Sequence, residues 1–63
     1  MYINFSFDGL SETLTEECEN QLEAIKLAQQ LIVEMQQSEV ELFEEGKLKP
    51  FARLIRETTI RIL

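Results

Sequence analysis

The chain has 63 residues, enough for one small domain, and its 12 acidic and 6 basic residues give a net charge of −6. A core of this size gives marginal stability, which small domains usually raise with a disulfide, a metal or a second subunit. One cysteine, Cys18, and no histidine exclude an intrachain disulfide and a zinc site, so the composition predicts a homo-oligomer.

The N-terminal residues 2–7 alternate between two kinds of side chain. Ile3, Phe5 and Phe7 fall on one side and polar residues on the other, which predicts a half-buried strand. Asp8-Gly9 ends this strand as a turn. A lone strand leaves its backbone groups unpaired, so we expect it to pair with the same strand of a second subunit or with C-terminal residues.

The segment from about residue 11 to about residue 45 predicts one long amphipathic helix. One narrow stripe appears when the residues from 12 to 44 are placed at 100° intervals, and it holds Glu12, Glu16, Glu19, Glu23, Lys26, Gln30, Glu34, Gln37, Glu41 and Glu44. Thr13-Leu14-Thr15-Glu16 matches a capping box at the start, and Gly46 is a natural stop. The predicted fold is therefore mainly α, with a short N-terminal strand (β-α-α).

A break in this helix is the alternative interpretation. Ser38-Glu39-Val40-Glu41 also matches a capping box, which would end the first helix near Gln37 and begin another. The stripe favours the unbroken helix because it holds its phase across that point.

The apolar side of the long helix predicts its interface. A helix over residues 12–45 would be about 50 Å long, whereas a compact chain of this length is only about 27 Å across. Its apolar arc is also wider than the roughly 100° that a surface helix needs. We therefore expect dimerisation through this helix, with an interface formed by Leu22, Ile25, Ala28, Leu31, Ile32, Met35, Leu42 and Phe43.

A second segment spans about residues 50–63. Pro50 suits the first turn of a helix, which we predict over residues 50–57. Residues 58–63 stay open between helix and strand, because Thr-Thr-Ile-Arg-Ile-Leu is rich in β-branched residues. The predicted helix would place Phe51, Leu54, Ile55, Thr58 and Ile62 on one face, with Arg53–Glu57 and Glu57–Arg61 spaced for ion pairs.

The sequence indicates no enzyme. Histidine, the usual general base near neutral pH, is missing. Cys18 lies among glutamates, which disfavour a thiolate, so we expect a buried structural thiol. The Glu-x-x-His motif of carboxylate metal sites and a glycine-rich phosphate loop are also missing. We predict a non-enzymatic protein without cofactor or metal.

The expected location is the cytoplasm. A free cysteine without an export signal is typical of the reducing cytosol. No apolar run reaches the roughly 20 residues of a membrane span, so a membrane is not an expected partner.

The leading functional hypothesis is a small acidic protein-interaction module: a dimeric adaptor, or an inhibitor or antitoxin-like regulator of a larger macromolecule. Residues 1–46 contain eleven acids and one base, whereas residues 47–63 contain five bases and one acid, an asymmetry typical of interaction surfaces. The expected contact for the partner is the acidic stripe of Glu12, Glu16, Glu19, Glu23, Glu34 and Glu41.

Two alternatives involve nucleic acid. In the first, the carboxylates of the acidic stripe recur every roughly 5–6 Å along the predicted helix and imitate the phosphates of a nucleic acid. The chain would then inhibit a nucleic-acid-binding protein. A strand carrying Tyr2, Asn4 and Ser6 on one side and followed by helices also resembles ribbon-helix-helix repressors, in which a two-stranded ribbon of a dimer reads the major groove. That resemblance implies a DNA-binding regulator. The chain departs from it in its much longer predicted helix and in a strand without a base, so nucleic acid is not an expected partner.

Overall fold

The computed structural model describes residues 1–56, and residues 57–63 lie outside the described part. The described elements are β1 (Tyr2–Phe7), β2 (Leu14–Glu17), α1 (Gln21–Glu34), β3 (Glu39–Glu44) and β4 (Ala52–Ile55). The strands form one antiparallel sheet in the order β2-β1-β3-β4. α1 connects the edge strand β2 to the inner strand β3 and packs on one face of the sheet against β1, β3 and β4.

The predicted first strand is confirmed with the bounds 2–7, and Ile3, Phe5 and Phe7 are buried. Its expected pairing is wrong. β1 lies between β2 and β3 of its own chain, with Phe5 opposite Leu14 on one side and Leu42 on the other. A strand bonded on both edges has no free edge for a second subunit.

The single helix over residues 11–45 is wrong, and with it the mainly α, helical description and dimerisation through that helix. Residues 14–17 and 39–44 are strands, and only residues 21–34 form a helix. Glu39, Val40, Glu41 and Leu42 alternate with the period of a strand, which a stripe drawn at 100° per residue overlooks. The apolar residues that made the arc of the predicted helix too wide, such as Val40 and Leu42, therefore lie in the sheet.

Both ends of α1 have well-defined caps. Asn20 Oδ1 accepts a hydrogen bond from the amide of Glu23 at 2.9 Å, which satisfies one free N–H of the first turn. At the other end the amide of Gln36 donates to Val33 O and that of Gln37 to Ile32 O, the bonding pattern of a Schellman motif. The alternative interpretation, in which the first helix ends near Gln37, is therefore correct about the helix end. The segment that follows is a strand and not the second helix of that interpretation.

The core lies between α1 and one face of the sheet. Ala24 and Ala28 are fully buried, so the backbone of α1 can approach the strands closely. Every buried residue of the described chain belongs to one hydrophobic cluster: Ile3, Phe5, Phe7, Cys18, Ala24, Ala28, Ile32, Val40 and Leu42. A single apolar layer of this kind is expected for a sheet covered on one face.

The helix predicted over residues 50–57 is also wrong. Residues 52–55 form β4, and Arg53 makes its ion pair with Glu39 of the neighbouring strand. Leu54 packs on the core while Arg53 and Ile55 are exposed, which is the alternation of a strand. The predictions that involve Glu57, Thr58, Arg61 and Ile62, and the choice between helix and strand for residues 58–63, lie outside the described residues.

Candidate functional site

The sheet has one covered and one open face. Strand register places on the open face Tyr2, Asn4, Ser6, Thr15, Glu17, Glu39, Glu41, Phe43, Arg53 and Ile55. These side chains are mainly polar, and two pairs connect neighbouring strands: Thr15 Oγ1 with Asn4 Oδ1 at 2.7 Å, and Arg53 with Glu39. Because the side chains of this face are mainly polar and these pairs bond to each other, the open face can remain in contact with solvent.

Within the part of the chain that the structure describes, the outer edge of β2 has backbone groups without a partner. Met1 and Cys18 exchange two hydrogen bonds of 2.8 Å, which makes them a hydrogen-bonded pair of the β1–β2 ladder. Because such pairs alternate with non-bonded pairs, Leu14 and Glu16 also bond to β1, whereas Thr15 and Glu17 direct their N–H and C=O groups outward. Within residues 1–56, β1 is the only neighbour of β2.

A groove lies at the Glu17 end of this edge, between the β2–α1 connection and α1. Its strand side is formed by Glu17, Cys18 and Glu19. Its helix side is formed by residues spaced three or four apart, which share one side of the helix: Glu23, Lys26, Leu27 and Gln30. Leu27 is half-buried and packs against the core, so the groove combines an apolar patch with acidic rims.

Carboxylates are concentrated around this groove. Exposed glutamates lie at the end of β2, in the β2–α1 connection and in the first turn of α1: Glu16, Glu17, Glu19 and Glu23. None of them forms an ion pair within residues 1–56, where the one ion pair joins Glu39 and Arg53. Unpaired like charges give this side of the molecule a negative potential that attracts cationic partners.

The residues predicted as an oligomer interface do not form one surface. Ala28, Ile32 and Leu42 lie inside the core of the chain. Half-buried residues that pack against that core are Ile25, Leu31 and Met35. Leu22 is 60% exposed on α1, whereas Phe43 lies on the open face of the sheet.

The predicted acidic stripe is divided in the same way. Glu16, Glu19 and Glu23 stay together near the end of β2 and the start of α1, whereas Glu12 precedes β2 and lines a separate hollow with Leu10 and Leu14. Glu34 is the last residue of α1, and Glu41 lies on the open face of the sheet. A continuous row of carboxylates along one helix, which phosphate mimicry would use, is therefore not present.

The resemblance to ribbon-helix-helix proteins ends at the strand. Tyr2, Asn4 and Ser6 do share a face, as the alternation predicts, but it is a face of a four-stranded sheet within one chain. Both edges of β1 are occupied, so β1 cannot form a two-stranded ribbon with its copy.

Cys18 is a buried part of the core, beside the groove. Burial raises the pKa of its thiol, the nearby N-terminal ammonium lowers it, and Glu16 and Glu23 raise it further. A raised thiol pKa disfavours the reactive thiolate. Among the described residues, no group of His, Cys, Asp and Glu is arranged to hold a metal, and α1 is neither long nor apolar enough to cross a membrane.

Sequence reasoning missed Glu17, Lys26 and Leu27 of the groove and the outward backbone of Thr15. The predicted long helix placed Glu17 and Leu27 off the stripe and made Thr15 part of its first turn. The pattern Asn20-Gln21-Leu22-Glu23 was the available signal, because asparagine favours a helix start and Glu23 falls in the first turn.

Comparison with protein-family models, with curated proteins and with solved structures finds no match to this chain, so its function is inferred from this geometry.

Proposed function

We propose that this chain is a small protein-interaction module that binds a basic segment of a partner protein at the acidic side formed by β2 and the first half of α1. The observation that carries the proposal is the group of exposed glutamates around the β2–α1 groove, none of which forms an ion pair within residues 1–56. Four carboxylates in one region favour association with cations, and apolar Leu27 adds contact area that simple ions cannot use.

The chemistry of the site supports binding over catalysis. Its titratable groups are exposed carboxylates, one lysine and a buried thiol whose pKa is raised. The sequence has no histidine and its one thiol is buried, so the groups that most often serve as general base or nucleophile near neutral pH are not exposed in this site. The module would therefore act by occupying a partner's surface, as an adaptor or an inhibitor does.

A selection from a random peptide library on the immobilised chain tests the proposal. We expect the selected peptides to be rich in lysine and arginine, because these side chains complement the groove. Binding should be lost in the double variant Glu17→Lys/Glu19→Lys. The matched control is Glu34→Lys/Glu45→Lys, which changes the net charge by the same amount away from the groove and should retain binding.

The comparison between the two double variants separates a site from a general charge effect. Equal loss in both would show that net charge alone attracts the peptides. Peptides without basic residues, or full binding to Glu17→Lys/Glu19→Lys, would contradict the proposed surface.

A further inference from the structure

We infer that the partner segment binds by strand addition: it lies along the outer edge of β2 as a fifth strand of the sheet, and its side chains on the helix side reach the β2–α1 groove at the Glu17 end of β2. This inference rests on the proposed function and specifies how the basic segment is held. The order β2-β1-β3-β4 leaves β2 at the edge, and the ladder directs the backbone groups of Thr15 and Glu17 outward. Outward N–H and C=O groups on an edge strand are a template for another strand.

The charges of β2 determine which kind of strand can pair with its outer edge. Glu16 and Glu17 place a carboxylate on each side of the strand, so the β2 strand of another copy would bring its own carboxylates close to these like charges. A strand with lysine or arginine would instead meet opposite charges. The acidic edge thus disfavours pairing with itself and favours a basic extended segment.

The groove favours a partner segment in which basic and apolar residues alternate. Side chains of an added strand point in turn to the two faces of the sheet. Those on the open side would meet Thr15 and Glu17, and those on the helix side would meet the groove that Leu27 and Glu23 line. A segment that alternates basic and apolar residues therefore satisfies both sides.

Amide hydrogen exchange gives the most direct test. The probe is a synthetic peptide that alternates lysine and valine, added to the uniformly labelled full chain. The amides of Thr15 and Glu17 should exchange more slowly when the peptide binds, because they gain hydrogen-bond acceptors. The amides of Leu14 and Glu16 already bond to β1 and should change little.

A substitution at the edge gives the second test. Thr15→Pro removes an outward N–H and places a ring against the added strand, while the bonds of the β1–β2 ladder remain. The matched control is Thr15→Ala, which loses the same hydroxyl bond to Asn4 but keeps the N–H. We expect peptide binding to weaken about tenfold or more in Thr15→Pro and to stay within about threefold of wild type in Thr15→Ala.

A peptide N-methylated at every residue separates strand addition from attraction by charge alone. It keeps every lysine charge but has no backbone N–H to donate to the edge of β2, whichever of its residues face that edge. If it binds as well as the unmodified peptide, and Thr15 and Glu17 gain no protection, strand addition is wrong while the proposed acidic binding surface remains. Protection that rises with protein concentration without peptide would assign the edge to a second copy and overturn the inference. Because exchange is measured on the unsubstituted chain, the test holds even if Thr15→Pro does not fold.

Discussion

The amide of Gly9 donates a hydrogen bond of 2.9 Å to Oε1 of Gln37, which joins the β1–β2 turn to the connection between α1 and β3. A Cβ atom on Gly9 would lie only 2.3 Å from that oxygen. In Gly9→Ala the Gln37 side chain must therefore move away and the bond is lost. We expect a loss of about 1 kcal/mol of unfolding free energy, the usual contribution of one hydrogen bond.

A double-mutant cycle measured by urea denaturation checks this assignment. Gln37→Ala should destabilise the chain by a similar amount or somewhat more, because Gln37 also donates to Met35 O. Gly9→Ala should then have almost no further effect in the Gln37→Ala background. Additive losses would show that Gly9 acts independently of Gln37.

Asp8 joins the same two segments through a charge. Its Oδ2 accepts from the hydroxyl of Ser38 at 2.7 Å and its Oδ1 from the amide of Glu39 at 3.2 Å. The bond from Ser38 is the largest cause that lowers the pKa of Asp8 below its ordinary value of 3.8. A carboxyl with a lowered pKa in the folded state stabilises the fold above its unfolded pKa, and this contribution disappears as pH falls through the folded pKa.

The expected result is a smaller acid-induced loss of stability in Asp8→Asn than in wild type. Urea midpoints measured from pH 7 down to pH 2 should fall less steeply below pH 4 in this variant, which is less stable than wild type at neutral pH. Ser38→Ala removes the donor and should flatten the profile in the same way. Parallel profiles in all three proteins would contradict the role of Asp8.

Gln36 lies in the left-handed region with φ +53°, at the position of the Schellman motif where glycine is most common. A non-glycine residue there carries backbone strain of about 1 kcal/mol. We expect Gln36→Gly to stabilise the chain by up to about 1 kcal/mol, since glycine adopts this conformation freely. Gln30→Gly, in the middle of the helix, should instead cost about 1 kcal/mol. Thermal unfolding of both variants provides the comparison.

The sequence predicts the local pattern of β1 correctly because its alternation is strict and begins at the chain's first residues. It fails between residues 12 and 44 because glutamates recur every three or four residues in strand, loop and helix alike. Solvent-facing positions of successive elements thus imitate one helical stripe. The N-cap of α1 shows that a helix begins inside the segment predicted as one continuous helix. Asn20 was the residue that could have indicated this start.

The candidate site could be predicted only in part. Its acidic character follows from the residues near β2, but the groove needs β2 to be an edge strand beside α1, which is a property of the strand order. Strand order depends on long-range pairing, such as Phe5 with Leu42, that no local pattern specifies. The outward groups of Thr15 and Glu17 could be identified only once the ladder was known.

Asn20→Ala distinguishes the two interpretations of this region by the sign of its effect. In one continuous helix Asn20 would be an interior residue, and alanine would stabilise the chain by about 0.5 kcal/mol. In the structure Asn20 is the N-cap, and alanine removes the acceptor of the Glu23 amide. We therefore expect Asn20→Ala to destabilise the chain by about 1 kcal/mol. Asn20→Ser keeps a capping oxygen and should unfold close to wild type, while Gln29→Ala, exposed within α1, should be neutral or slightly stabilising. Urea denaturation of the three variants would contradict the observed helix start if Asn20→Ala were as stable as Gln29→Ala.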